Sequence, residues 1–346
     1  MAQNQDTNSL ELLKSDKITQ EIFKTRDTGQ INDRYQQRKK QNLKLAEVYE
    51  HLGYKQKKVD RVSFCGEILK FFQDPETLDT RLWQAYLCKD KLCSICNYRR
   101  SRKFDYQIMR VLDKAVQEYP KAEFLFLTLT QKNVEGEDLS QELTKIGKAF
   151  QKMQRRKVFS NAILGFVRGT EVTYNAERDN FHPHVHILLM VKSNYFTKNY
   201  ITQSEWAEMW QEFMGLDYKP IVDIRRVKQA KEVAESEDYV PYEKQVVKAV
   251  YEVAKYPIKP TKITLENAKV INDLANGLYR KRQLGFGGVI AKIRKLLALD
   301  DIENGDLVNV EDREESPGRI ITAKWLDNQN QYKILDYEQY EPVKRP

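Results

Sequence analysis

Apolar positions along the chain switch between two periods, and the switches predict an order of elements. FLFLTLT (124–130) is a short apolar, β-branched run and reads as a buried strand. Over 139–157 the apolar residues Leu143, Ile146, Phe150 and Met153 recur every three or four positions, which predicts an amphipathic helix. AILGFVRGTEVTYN (162–175) and HPHVHILLMV (182–191) read as two strands, and the turn-rich AERDN between them predicts a hairpin. A helix follows at 203–214, with Thr202 or Ser204 as its cap, then a strand at 221–227. A further helix at 240–256 is stopped by Pro257. Residues 262–299 read as helical around a glycine-rich break, LGFGGV (284–289), and a short pair of strands closes the chain. Upstream, residues 1–60 are polar and helix-like with a partly disordered start, and a helix is expected around 105–118.

Composition narrows the class. At 346 residues, with 41% hydrophobic and 31% charged, the chain is of globular type and long enough for about two domains without disulfide staples. No apolar run reaches membrane-spanning length, and the first residues lack the basic-then-apolar order of a secretory signal, so the cytoplasm is the expected compartment. Net charge is +8, but residues 300–315 hold eight acids and one Arg, so the rest of the chain carries +15. A basic body of this kind suits a polyanionic partner such as nucleic acid, although a solvated charged surface would give the same sum.

All four cysteines lie between positions 65 and 96 with the spacing C-x22-C-x4-C-x2-C: Cys65, Cys88, Cys93 and Cys96. In a reducing compartment such a patch matches a structural Zn²⁺ site, because tetrahedral zinc takes four thiolates and short loops let the chain turn around the ion. The plain alternative is four buried small side chains. Directly after the patch come Arg99, Arg100, Arg102 and Lys103, interleaved with Tyr98, Phe104 and Tyr106. A second basic run, KMQRRK, contains Arg155 and Arg156. Both runs are candidate phosphate contacts, or else solvated helix faces.

Three of the four histidines fall within five residues: His182, His184 and His186. On a strand these positions share one face, while Val185 and Ile187 point to the other and meet the core. Three core imidazoles in a row would each need a hydrogen-bond partner, so a metal site is the better reading. Glu171, on the preceding strand, comes near His184 and His186 if the two strands pair in the right register. Two imidazoles and a carboxylate would leave coordination positions open for substrate oxygens. Otherwise Glu171 is a surface carboxylate. Further on, VVKAVYEVAKYPIK contains Tyr251, Glu252, Lys255 and Tyr256. Glu252 and Tyr256 share a helix face at i, i+4, whereas Tyr251 and Tyr256 are about 140° apart around the axis. A tyrosine at a helix end beside a metal-bound phosphate can serve as a nucleophile. With 19 tyrosines in the chain, only its conjunction with the histidine strand singles this one out.

That conjunction resembles a known family. FLFLTLT, then HPHVHILLMV, then YEVAKY occur in the order of the three motifs of rolling-circle plasmid replication initiators, the Rep proteins of the HUH endonuclease superfamily. CKDKLCSICNYRRSRKF is similar to the region ahead of the first motif in one branch of them. The resemblance covers about 61–260 and implies an α+β fold, a central antiparallel sheet with flanking helices, preceded by a small four-cysteine zinc element. The regions expected are a polar N-terminal part (1–60), the zinc element (61–104), the endonuclease domain (105–260) and a C-terminal helical region with the acidic segment and short strands (261–346). It further implies that His184 and His186 bind Mn²⁺ or Mg²⁺, with Glu171 a weaker choice of third ligand and His182 in support. By the same resemblance Tyr256 is the nucleophile, with Tyr251 as its substitute. Glu252 activates water, and Lys255 steadies a phosphate oxygen or the phenol. The implied activity is nicking of plasmid origin DNA at a single-stranded or hairpin site in the double-strand origin. A 5′-phosphotyrosine link and a 3′-OH primer result, and host helicase and polymerase follow in a bacterial cytoplasm. Competing readings are a relaxase or transposase of the same chemistry, a metal hydrolase of small substrates, and a zinc-containing DNA-binding protein without catalysis.

Overall fold

A computed structural model describes residues 31–227, 263–310 and 316–342. In chain order its elements are α1 (Ile31–His51), α2 (Gln56–Ser63), β1 (Ile68–Gln73), β2 (Thr80–Ala85), α3 (Ser94–Glu118), β3 (Glu123–Thr130), α4 (Leu139–Met153), α5 (Lys157–Ala162), β4 (Ile163–Asn175), β5 (Asn180–Val191), α6 (Tyr195–Lys198), α7 (Gln203–Met214), β6 (Val222–Arg226), α8 (Ala268–Gly277), β7 (Leu284–Gly287), α9 (Gly288–Leu296), β8 (Gly318–Leu326) and β9 (Gln331–Tyr340). The fold is α+β, with two antiparallel sheets and flanking helices. No helix among the described residues is long and apolar enough to cross a membrane.

The chain divides into two compact units. The first unit takes Met1–Arg99, Ile263–Leu265 and Asp306–Pro346; the second takes Arg100–Lys262 and Glu266–Gly305. The C-terminal stretch contributes to both units. Its last two strands return to the first unit, where the sheet order is β2-β1-β8-β9, and its helices α8 and α9 belong to the second. Strands β1 and β2 have no counterpart among the elements expected, because the cysteine spacing dominates that stretch of sequence. In the first unit α1 buries Tyr35, Leu45, Val48 and Tyr49, and Tyr35 meets Phe71 of β1 edge-on at 5.9 Å. A polar N-terminal helix is therefore tied down by one apolar stripe.

The second unit is built on a five-stranded sheet of order β6-β3-β5-β4-β7. Its two faces have different cover, and alternation along β4 separates them. Phe166 faces the α4 side, where Phe150 meets it edge-on at 5.1 Å. Val167 faces the opposite side and joins Leu188, Met190 and Phe124 in one cluster with Phe104, Ile108, Val111 and Leu112 of α3 and Ile290 and Ile293 of α9. Those α3 residues recur every three or four positions, so the helix presents a continuous stripe to the sheet. Glu171 shares its face with Val167 but lies four residues along, about 13 Å at strand rise, at the other end of the face from that cluster.

Local chemistry fixes the turns. The β4–β5 hairpin closes over Ala176–Asp179, where the Asn175 side chain accepts from the backbone N–H of Glu177 (3.0 Å) and Arg178 (3.2 Å). The glycine-rich break contains β7 and the start of α9. Gly288 has φ +59°, and a Cβ there would lie 2.1 Å from the Leu164 carbonyl oxygen, so no other residue fits without a shift. Helix α7 opens on a capping box. Thr202 Oγ1 accepts from Glu205 N at 3.2 Å, and the Glu205 carboxylate accepts from Thr202 N at 2.7 Å. The helix carries Trp206 and Trp210, both fully buried, into the α4 side of the sheet, where Trp206 meets Phe159 at 5.9 Å. Removing the cap with Thr202→Ala is expected to cost about 1 kcal/mol, read as a lower urea midpoint at unchanged slope. An unchanged midpoint would contradict the capping role.

Candidate metal centre and cysteine cluster

The register of the central hairpin assembles three side chains. Glu171 of β4 stands directly across from His184 of β5, and Gly169 stands across from His186. The Glu171 carboxylate oxygen Oε2 lies 3.0 Å from His184 Nε2 and 3.1 Å from His186 Nε2. Gly169 leaves the space beside His186 without a side chain. Glu171 is 3% exposed and His184 9%, so the group is nearly withdrawn from water. One ligand atom from each residue falls within 4.8 Å of the other two, and the three could hold a metal ion.

Hydrogen bonds at the far side of each ring decide what the near side can do. His184 Nδ1 sits 3.3 Å from the His182 carbonyl oxygen, which only accepts, so the tautomer with its proton on Nδ1 finds a partner there. In that tautomer a neutral His184 turns a bare Nε2 lone pair toward a carboxylate oxygen that is also an acceptor. Two acceptors at 3.0 Å repel unless a positive charge lies with them, either a proton or a metal cation. His186 Nδ1 is 3.2 Å from Thr128 Oγ1, and its ring lies near-parallel to Phe126 at 5.5 Å between centroids. His182 stands beside the pair, its ring 5.3 Å from that of His184 and its main-chain carbonyl 3.3 Å from His184 Nδ1.

The cysteine cluster lies in the first unit. Cys65, Cys88, Cys93 and Cys96 are all buried and unbridged. Their sulfurs approach to 3.6 Å (Cys65–Cys96), 3.7 Å (Cys88–Cys96) and 3.5 Å (Cys93–Cys65). Four ligands at about 2.3 Å around Zn²⁺ stand about 3.8 Å from one another, so the cluster has the dimensions of a tetrahedral thiolate site. Hydrogen bonding with Cys88 pushes the Cys65 thiol up from its ordinary value, a cost that coordination would remove. The backbone N–H groups of Cys88, Lys89 and Cys96 also point at sulfurs, at 3.4, 3.2 and 3.4 Å.

Helix α1 supports this cluster in a way the cysteine spacing does not reveal. Asn42 donates from Nδ2 to Cys93 Sγ at 3.1 Å and accepts from Ser94 N at 2.8 Å. Lys39, 1% exposed, donates to the carbonyls of Ser63 (2.5 Å) and Cys65 (3.2 Å). Burial lowers the pKa of its ammonium, partly offset by Cys65. Nothing in the sequence of this polar helix singles out Lys39 and Asn42 as the residues that turn inward.

The basic run after the cysteines requires a correction. Arg99, Arg100 and Lys103 are 1%, 6% and 1% exposed and do not form a phosphate-binding face. In the first unit Arg99 donates to the carbonyls of Leu307 and Val308, both at 3.0 Å. In the second, Arg100 donates to Glu303 O at 3.1 Å, and Lys103 pairs with Asp300 at 2.5 Å. The acidic segment is thus the partner of the basic helix over its described residues. Arg102 is partly buried, whereas Arg155 and Arg156 are exposed, Arg156 pairing with Glu212. These last two follow α4, on the sheet face opposite Glu171. Tyr251, Glu252, Lys255 and Tyr256 lie outside the described residues.

Comparison with known proteins gives the family. A family model described as a replication protein matches residues 79–333, most of the chain. The chain belongs to this family of replication proteins. A protein named "Protein rep" from Streptococcus pneumoniae serotype 2 is 45% identical over 302 residues, covering 86% of this chain and 90% of its own length. Proteins of the same name from Bacillus amyloliquefaciens (42%; 83% and 88% covered) and Lentilactobacillus hilgardii (38%; 92% and 100% covered) are similar over comparable spans. No solved structure matches the chain. These relatives support a plasmid rolling-circle Rep protein, the class to which the three motifs point.

If the four sulfurs hold zinc, purified protein will carry near one zinc per chain by elemental analysis. Cys93→Ser will lose the metal and unfold at lower temperature. A folded wild-type protein without zinc would contradict the assignment.

Proposed function

We propose that this Rep protein initiates plasmid rolling-circle replication by nicking one strand at the double-strand origin. The observation that carries the reading is the convergence of Glu171, His184 and His186 in a chain of the replication protein family. These three residues would hold Mn²⁺ or Mg²⁺. The donor set of two imidazoles and one carboxylate suits Mn²⁺ by ligand type. When bound, a divalent ion there supplies charge that polarises a non-bridging oxygen of the scissile phosphate.

In this reading the Tyr256 hydroxyl attacks the scissile phosphorus as its proton leaves. The new bond joins the phenolic oxygen to phosphorus, and the P–O3′ bond breaks. The departing 3′ oxygen takes up a proton and becomes the primer end, while the 5′ phosphate stays on the protein. The phosphotyrosine link conserves the phosphodiester, so a later strand transfer needs no ATP. Lys255 assists by holding a phosphate oxygen or favouring the phenolate. Glu252, four residues before Tyr256 in sequence, takes the proton from a water in a second attack that ends the cycle. The nick site is single-stranded or extruded as a hairpin, and host helicase and polymerase extend the 3′ end. Exposed Arg155 and Arg156 contribute phosphate contacts to the duplex arm.

Supercoiled plasmid carrying the cognate origin, incubated with the protein and Mn²⁺, is expected to give a nicked circle with protein on the 5′ end. Tyr256→Phe will abolish the nick and keep DNA binding. Normal nicking by that variant would transfer the role to Tyr251 or another group, and no nicking by wild type would remove the proposal. Glu252→Ala is expected to nick normally and leave over-length products. Clean termination by that variant would rule out its role as base.

A further inference from the structure

The two histidines of the metal centre are fixed by different means, and the difference assigns a task to the first threonine of the TLT motif. His184 Nδ1 is held by the main-chain carbonyl of His182, which no side-chain substitution removes. His186 is held instead by a side chain, its Nδ1 facing Thr128 Oγ1 at 3.2 Å. Thr128 and His186 are directly opposed in the antiparallel pairing of β3 and β5. Their Cβ atoms consequently project on the same face, and the β-branched threonine has few χ1 choices. Thr130, two residues on and opposite His184, is used differently: its hydroxyl donates to the Ile221 carbonyl at 2.7 Å and anchors the start of β6. So one motif threonine serves the metal centre and the other serves the sheet.

We propose that Thr128 is a positioning residue for metal binding. It accepts the Nδ1–H of His186, which selects the tautomer whose Nε2 lone pair points at Glu171, while Phe126 stacked on the ring limits its rotation. A histidine that ligates through Nε2 must keep its proton on Nδ1, and an acceptor there both orients the ring and raises its basicity. Without the hydroxyl, His186 can put its proton on Nε2 and bond to Glu171 Oε2 instead, which opposes the ion directly. This inference rests on the reading of Glu171, His184 and His186 as metal ligands.

The test is Mn²⁺ affinity of the full chain without DNA, measured by EPR titration, with ¹⁵N-histidine NMR for the tautomer. Thr128→Val, nearly the same shape without the acceptor, is expected to weaken Mn²⁺ binding about 10–100-fold and to move His186 off the Nδ1–H tautomer. Thr128→Ser, which keeps the hydroxyl, is expected to restore both. Thr130→Val is expected to bind Mn²⁺ as wild type does, which separates a metal task from mere loss of a strand contact. Wild-type affinity in Thr128→Val, or equal losses in the two valine variants, would overturn the positioning role alone. Absence of Mn²⁺ binding by the wild-type chain would overturn the metal centre itself, and this inference with it.

Discussion

Two imidazole nitrogens converge on one carboxylate oxygen, and the rest of the site follows from that. Where the main-chain carbonyl of His182 takes the His184 proton at Nδ1, the side turned toward Glu171 is an acceptor facing an acceptor. A cation held among the three would meet both acceptors, and the group could hold a metal ion. The strand register that creates the conflict is narrowly specified. A slip of one residue between β4 and β5 would turn either Glu171 or the histidine pair onto the α4 face, and would move Phe166 and Val167 out of their clusters as well. Packing at one end of the sheet face thereby enforces the chemistry at the other. The hydrophobic cluster with α3 and α9 fixes the register, and the register sets Glu171 against His184 and His186.

Charge in this protein is as much a packing device as a surface property. Arg99, Arg100 and Lys103 read in sequence as a cationic stripe, yet each is buried against backbone carbonyls or a carboxylate of the acidic segment. A buried cation is tolerable when its donors are met, and carbonyl oxygens meet a guanidinium without adding a second charge to desolvate. Glu303 does the complementary task, accepting the N–H groups of Gln283 and Leu284 at 2.8 and 2.9 Å where β7 begins. Among the described residues the basic helix thus meets the acidic segment, roughly two hundred residues away in sequence, through backbone carbonyls and the Asp300 carboxylate.

Much of the fold is legible because periodicity is local. Strands β3, β4, β5 and β6 and helices α4 and α7 lie within a few residues of where the pattern predicts them, and the alternation that puts His182, His184 and His186 on one face needs only the strand assignment. Cysteine spacing points to a cluster, and the four sulfurs are together. What sequence does not carry is long-range pairing. β1 sits between β2 and β8, two strands separated by more than two hundred residues, and nothing local announces that neighbour. Lys39 and Asn42 escape notice because a polar helix gives no sign of which polar residues turn inward. Thr128 escapes for a related reason: its value comes from the residue across the strand, not from its neighbours in sequence.

The central claim is that Glu171, His184 and His186 share one divalent cation. Crystals of the protein grown with Mn²⁺ and measured at the manganese absorption edge test it most directly. The account predicts one strong anomalous peak in contact with Nε2 of both histidines and the Glu171 carboxylate. Ordered protein in millimolar Mn²⁺ with no peak there, or a peak that excludes either imidazole, would contradict it.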